Sequence, residues 1–167
     1  MPSRHRQRGF TLIEVLVVLV IVGVVIGAMV LASGGSGERQ LENAARRAEL
    51  RIRLACERAM FTGVDVGFSV LAEGLRFGYL LPGRWAPLAD APDEALRLRP
   101  LGEGILVQAY RDGLEVDQAQ AELPQFACHA SGELTPLRLQ LGREGVNTRW
   151  RLDGHVDGRL ELRREDA

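Results

Sequence analysis

The chain contains no lysine; all 21 of its basic residues are arginine. We read this as genomic base composition, not as function. Charge is missing altogether from one long stretch: between Gly9 and Gly37 the only ionisable side chain is Glu14. Every other charge lies in the first eight residues or after Gly37, which excludes a uniform soluble domain and equally a disordered chain. The net charge of −1 argues against a strongly basic nucleic-acid binder. No proline lies between Pro2 and Pro82, so any kink in that half must come from glycine. Histidine is scarce. His5 lies at the amino terminus, and His129 and His155 are isolated, so no metal-ligand cluster is recognisable. No catalytic constellation and no cofactor motif are found either. Gly102-Glu103-Gly104 is too short for a phosphate loop. The expectation is a protein that is not an enzyme, with no metal and no cofactor.

What is present begins with Met1–Gly9, which carries Arg4, Arg6 and Arg8 and no acid. Phe10-Thr11-Leu12-Ile13-Glu14 follows, and then Val15 to Ala32 without a charge. As a helix that uncharged run is roughly 27 Å long, or roughly 34 Å from Phe10, against a hydrocarbon core of about 30 Å. Arginines before the run predict a cytoplasmic amino end and an exported carboxyl side. A cleaved secretory signal should have a shorter apolar region of about 7–15 residues. A plain signal anchor leaves Glu14 incidental, although a carboxylate in an apolar span costs about 2.5–3.5 kcal/mol.

Arg8-Gly9-Phe10-Thr11-Leu12-Ile13-Glu14 before a Val/Leu/Ile run resembles the processing site of type IV pilins and type II secretion pseudopilins. The resemblance implies cleavage after Gly9 by a prepilin peptidase, N-methylation of Phe10 and retention of the apolar helix. It also implies that Glu14 serves assembly, its carboxylate neutralising the amino group of Phe10 on a neighbouring subunit.

Ser33-Gly34-Gly35-Ser36-Gly37 then forms a break or a flexible neck, since glycine weakens a helix by roughly 1 kcal/mol each relative to alanine. Gly23 and Gly27 form a G-x-x-x-G pair that lets helices approach closely, or simply reflect how common glycine is in membrane helices. From Glu38 to Phe61 the sequence is helical. Leu41, Ala45, Ala48, Ile52, Ala55 and Ala59 make one narrow apolar stripe, small enough for a sheet to pack close. Gly63 is placed to cap the helix end.

After Gly63 the period becomes two. Val64–Val70 and Leu75–Leu80 form a hairpin. Later strands are expected at Ile105–Tyr110, Leu114–Val116, Gln125–His129, Pro136–Leu141, Val146–Leu152 and Arg159–Arg163. Pro82–Pro100 reads as a long loop; its Asp90, Asp93 and Glu94 suit a solvated loop better than a calcium site. The expected domain plan is a leader over 1–9, a membrane-spanning helix half over 10–32, a neck over 33–37 and an exported domain over 38–167. One long helix followed only by strands is α+β. It matches the pilin-like fold, a helix whose amino-terminal half spans the membrane, packed on an antiparallel sheet, here expected as a meander.

Three further segments resemble the minor pseudopilin H subfamily of type II secretion. They are Ala48–Gly63, then Gly74-Leu75-Arg76-Phe77 with Gly83–Leu88, then Pro124-Gln125-Phe126 with Ser131–Leu139. The resemblance implies a structural subunit of a pseudopilus that helps export folded proteins across the outer membrane. Its partners would be the major pseudopilin, the tip minor pseudopilins, the prepilin peptidase and the inner-membrane secretion platform. It would sit in the inner membrane by a single pass, with its carboxyl-terminal domain in the periplasm. Cys128-His129 departs from the plain apolar strand expected there. Cys56 and Cys128 would meet an oxidising compartment, either bridged or as two separate buried thiols. Trp85 is a loop anchor or a partner contact. The rival reading is a minor type IV pilin with a DNA-binding or adhesive surface. Arg149, Arg151, Arg159, Arg163 and Arg164 would then meet phosphates, unless Glu161, Glu165 and Asp166 relieve them.

Overall fold

Residues 11–33, 35–72, 74–88, 96–118 and 123–166 are described by the computed structural model, and for 29–33 only the backbone. Gly9, Phe10 and the acidic residues Asp90, Asp93 and Glu94 lie outside the described residues. The chain divides into two units, Met1–Ser36 and Gly37–Ala167.

The first unit is helix α1, Leu12–Ser33. Its aliphatic run leaves no polar side chain to compete with the backbone, and its glycines are open on their Cβ side. Among the fully described residues no helix is long and apolar enough to cross a membrane. Residues 12–28 rise only about 26 Å, whereas the whole of α1 rises about 33 Å.

The second unit opens with helix α2, Ser36–Thr62. The glycine-rich break is therefore narrow. The expected apolar stripe is fully buried at Leu41, Ala45, Ala48, Ile52, Ala55 and Ala59, with Ala44 and Cys56 widening it. Gly63 ends the helix at φ +71°, its N–H bonding the Ala59 carbonyl at 2.9 Å. A left-handed residue there satisfies a carbonyl that would otherwise be orphaned.

Nine strands follow among the described residues: β1 Val66–Leu71, β2 Gly74–Leu81, β3 Arg84–Pro87, β4 Ile105–Arg111, β5 Leu114–Glu115, β6 Phe126–Cys128, β7 Leu137–Arg143, β8 Thr148–Gly154 and β9 Leu160–Asp166. Every pairing is antiparallel. They form two sheets, β3-β2-β1-β6 and β5-β4-β7-β8-β9, so a single meander is not what is built. The chain leaves β5 of the second sheet, places β6 beside β1 of the first, and returns as β7. Strand β3 lies inside the segment read as a loop. Its four residues end at Pro87, which suits a sheet edge because proline has no donor to lose there.

Helix α2 bridges both sheets. Near its start Glu38 accepts from Thr148 at 2.9 Å and pairs with Arg164 at 2.6 Å, both on the second sheet. Further along, the Arg51 guanidinium lies 5.4 Å from the centre of the Phe77 ring, and Arg58 donates to the Tyr79 hydroxyl at 3.0 Å, both on β2. Burial followed by the nearby Arg99 charge lowers the Arg51 pKa to about 10. Arg51 donates to the Arg99 carbonyl at 3.2 Å, and Arg47 to the Leu101 carbonyl at 2.5 Å, so two arginines one turn apart hold the segment entering β4.

Strand β1 is buried along its whole length, not on alternate residues. On its second face Gly67 leaves room for Pro124, where a Cβ would come within 2.6 Å, and the Ser69 hydroxyl donates to the Leu123 carbonyl at 3.2 Å. Because β6 is short, the Val70 N–H has no strand partner beyond it. The buried Gln125 amide replaces one: its Oε1 accepts from Val70 N–H at 2.8 Å and its Nε2 donates to the Asp117 carbonyl at 3.0 Å. Gln125→Leu keeps the bulk and leaves the Val70 donor unpaired. It should cost about 1–3 kcal/mol, read as a lower urea midpoint with unchanged m; an unmoved midpoint would mean the amide is dispensable.

Candidate functional site

The amino-terminal motif enters the structure at Thr11. The Thr11 carbonyl accepts from Glu14 N–H at 3.1 Å and from Val15 N–H at 3.3 Å. Its hydroxyl also accepts from Glu14 N–H, at 3.4 Å. Thr11 is thus the N-cap of α1, and Glu14 is the third helical residue. Thr11-Leu12-Ile13-Glu14 has the S/T-x-x-E form of a capping box. The sequence reading used Glu14 and missed Thr11, although that spacing before an apolar run was available to find it. Its consequence is that the carboxylate is held in the first turn, where the helix dipole favours negative charge by about 0.3–1 kcal/mol.

Every described side chain of α1 is exposed, including Leu12 and Ile13 beside the carboxylate. The apolar surface runs around the whole helix instead of forming a stripe. A helix of that kind is buried in a larger core or in lipid. At Gly23 and Gly27 nothing lies within 4 Å of a built Cβ, so the G-x-x-x-G face is free to receive another helix.

In the second unit four of the five arginines that favoured a phosphate-binding surface, Arg151, Arg159, Arg163 and Arg164, are ion-paired. Register places Arg151 opposite Arg163, Asp153 opposite Glu161 and Arg149 opposite Glu165. Arg151 pairs with Asp153 at 2.8 Å and Glu165 at 2.6 Å. Arg163 pairs with Glu161, Arg159 with Asp157, and Arg164 with Glu38 and Asp166. Desolvation raises the Asp153 pKa, but Arg138 and Arg151 outweigh it and hold the carboxyl below the usual range. The face carries both signs and is not a basic stripe. Arg159 lies in the turn before β9, not on the strand beside Arg163.

Cys56 and Cys128 are joined as a disulfide with Cα atoms 4.9 Å apart, tying α2 to β6. His129 accounts for the polar end of β6: its Nδ1 lies 2.8 Å from Asp65, whose other oxygen accepts from Ala130 N–H at 2.8 Å. The Ala130 bond first and His129 second hold the Asp65 carboxyl below its usual range. Trp85 lies on β3 with its indole over Gly78, where any Cβ would collide with the ring, so it anchors the sheet edge. Asp153 and Gly154 end β8, and residues 155–159 form the β8–β9 connection, closed by Gly158 N–H on the His155 carbonyl. Among the described residues no group of three or more His, Cys, Asp or Glu is placed to hold a metal ion.

A model of the prokaryotic N-terminal methylation motif matches residues 4–30. The chain is 33% identical to type II secretion system protein H of Pseudomonas aeruginosa, over 86% of this chain and 87% of that protein. It is 30% identical to the protein of the same name in Aeromonas hydrophila, over 98% and 97%. Among solved structures it is similar to the minor pseudopilin EpsH from the type 2 secretion system of Vibrio cholerae, with TM-score 0.61, 23% identity and coverage of 74% of this chain and 94% of that one. It is also similar to GspH of Escherichia coli, with TM-score 0.62, 20% identity and coverage of 78% and 93%. At those identities the structural likeness speaks for the fold alone.

Proposed function

This chain belongs to the type II secretion system protein H family and is a minor pseudopilin, and we propose that it acts as a membrane-anchored building block whose α1 enters a periplasmic pseudopilus. A prepilin peptidase cleaves between Gly9 and Phe10, and the new amino group of Phe10 is methylated. α1 holds the subunit in the inner membrane by a single pass, with the amino end cytoplasmic and the second unit periplasmic. Assembly on the inner-membrane platform then brings the Glu14 carboxylate beside the Phe10 amine of an adjacent subunit. The neighbours are the major pseudopilin and the minor pseudopilins of the tip. The filament helps move folded proteins through the outer membrane.

The observation that carries this reading is a helix apolar on all sides whose one acidic residue, Glu14, sits in the first turn with its backbone N–H bonded to Thr11. In lipid that charge costs about 2.5–3.5 kcal/mol, more than the dipole returns, so a counter-charge from a neighbour favours assembly. The ion pairs of Arg151, Arg159, Arg163 and Arg164 disfavour the DNA-binding alternative.

Processing supplies the test. The peptidase needs a backbone without a side chain at the cleaved bond, so Gly9→Val should leave the 167-residue precursor in the membrane. Intact mass of the membrane fraction distinguishes it from a product starting at Phe10. A wild-type mature protein beginning at any other residue would overturn the proposed processing.

A further inference from the structure

We infer that the second unit is a substrate for a protein dithiol–disulfide oxidant of the exported compartment, which must act before β6 settles on α2. The argument starts from access. In the folded unit Cys128 has no exposed surface and Cys56 is 8% exposed. Cys128 Sγ lies 4.0 Å from the Ile52 carbonyl, beneath the helix backbone. Exchange requires a thiolate sulfur to reach the oxidant's sulfur, and a macromolecular oxidant has no route to either atom here. The bond is therefore made while the seam between α2 and β6 is open.

The position of the bond says what it controls. β6 has only three residues, and Cys128 closes its pairing with Val66 on one side and a single bridge to Leu134 on the other. That strand carries the chain from the second sheet to the first and back. A thiol pair would leave this crossing held by few backbone bonds, whereas the disulfide fixes it to the helix across a sequence separation of 72.

The chemistry balances. One cysteine thiolate attacks the oxidant's disulfide, giving a mixed disulfide and releasing one oxidant thiolate. The other cysteine, as thiolate, attacks the substrate sulfur of that mixed disulfide. The Cys56–Cys128 bond forms and the second oxidant thiolate leaves. Two electrons and two protons pass from the cysteine pair to the oxidant.

This inference rests on the periplasmic placement proposed above, and the test separates the two. Cells making the full chain are quenched in acid and denatured, free thiols are alkylated with a maleimide of known mass, and the intact protein is weighed. Parent cells should give no label. Cells lacking the exported dithiol oxidant should give two labels and faster loss of the protein in a chase, both reversed by adding cystine to the medium. Chains carrying only Cys56→Ala or only Cys128→Ala lack the second thiolate and should accumulate a mixed disulfide with the intact oxidant, and Cys56→Ala/Cys128→Ala none. No label in cells without the oxidant would overturn the inference, as would two labels in parent cells on a chain already cut at Phe10. Two labels in parent cells on an uncut chain would instead sink the export reading. The labelling uses the wild-type chain, so it does not depend on the double variant folding.

Discussion

Ile52→Asp in the isolated unit 38–167 should lower its stability by about 4 kcal/mol or more, enough to populate unfolded protein at room temperature. Ile52 is fully buried at the middle of α2. Its stripe neighbours Ala48, Ala55 and Ala59 are small, so the helix backbone comes close to the sheets and Ile52 supplies much of the bulk in that gap. Losing a large aliphatic side chain in a core costs about 2–5 kcal/mol. A carboxylate placed there adds a desolvation cost, or takes up a proton to avoid it. Domains of this size hold only about 5–15 kcal/mol in total. Leu50→Asp is the matched control, two residues away and 61% exposed. A surface change of that kind should stay within about 0.5 kcal/mol. Urea melts of both variants decide the matter; equal midpoints would show that the buried face of α2 has been assigned to the wrong residues.

That stripe was legible because a one-sided helix writes its burial into a period near 3.6, and nothing on α2 disturbs it. The β4–β5 turn was legible for a chemical reason: Asp112 at φ +53° and Gly113 at φ +81° are residue types that tolerate the left-handed region. The division into two sheets was not legible. Pairing of β6 with β1 joins Phe68 to Phe126 across the chain, and alternation within a strand carries no information about its partner. Strand β3 was hidden because Pro82 and Pro87 read as loop punctuation, and only an edge position reconciles Pro87 with a strand. Arg47 and Arg51 were also beyond reach. They lie on the helix as ordinary solvated cations would, and their carbonyl partners at Leu101 and Arg99 are some fifty residues distant. At the candidate site, Glu14 stood out as the one charge in an apolar run. Thr11 did not, because a cap is neutral, and its one sequence signal was the T-x-x-E spacing ahead of the apolar run.

Glu14→Ala should be inserted, cleaved and folded normally, yet enter the filament poorly, so that export of a reporter cargo falls sharply. Removing the carboxylate takes away about 2.5–3.5 kcal/mol of insertion cost, which makes the membrane step easier. The Thr11 cap uses the backbone N–H groups of Glu14 and Val15, so the first turn of α1 survives the loss of the side chain. The second unit, which folds around its own core, is untouched. What should disappear is the proposed attraction for the Phe10 amine of a neighbour. The helix dipole returns only about 0.3–1 kcal/mol of the burial cost, so the proposed pairing assigns most of the stabilisation of that charge to the adjacent subunit. Glu14→Asp keeps the charge on a shorter arm and should be impaired only in part. Glu14→Gln keeps the length without the charge and should resemble alanine. Thr11→Ala separates capping from assembly: it should cost about 1 kcal/mol in the first turn and leave most of the export intact. Crosslinking between adjacent pseudopilins, measured with secretion in the same cells, reads the assembly step directly. Normal crosslinking and secretion in Glu14→Ala would make the carboxylate incidental and return α1 to a plain membrane anchor.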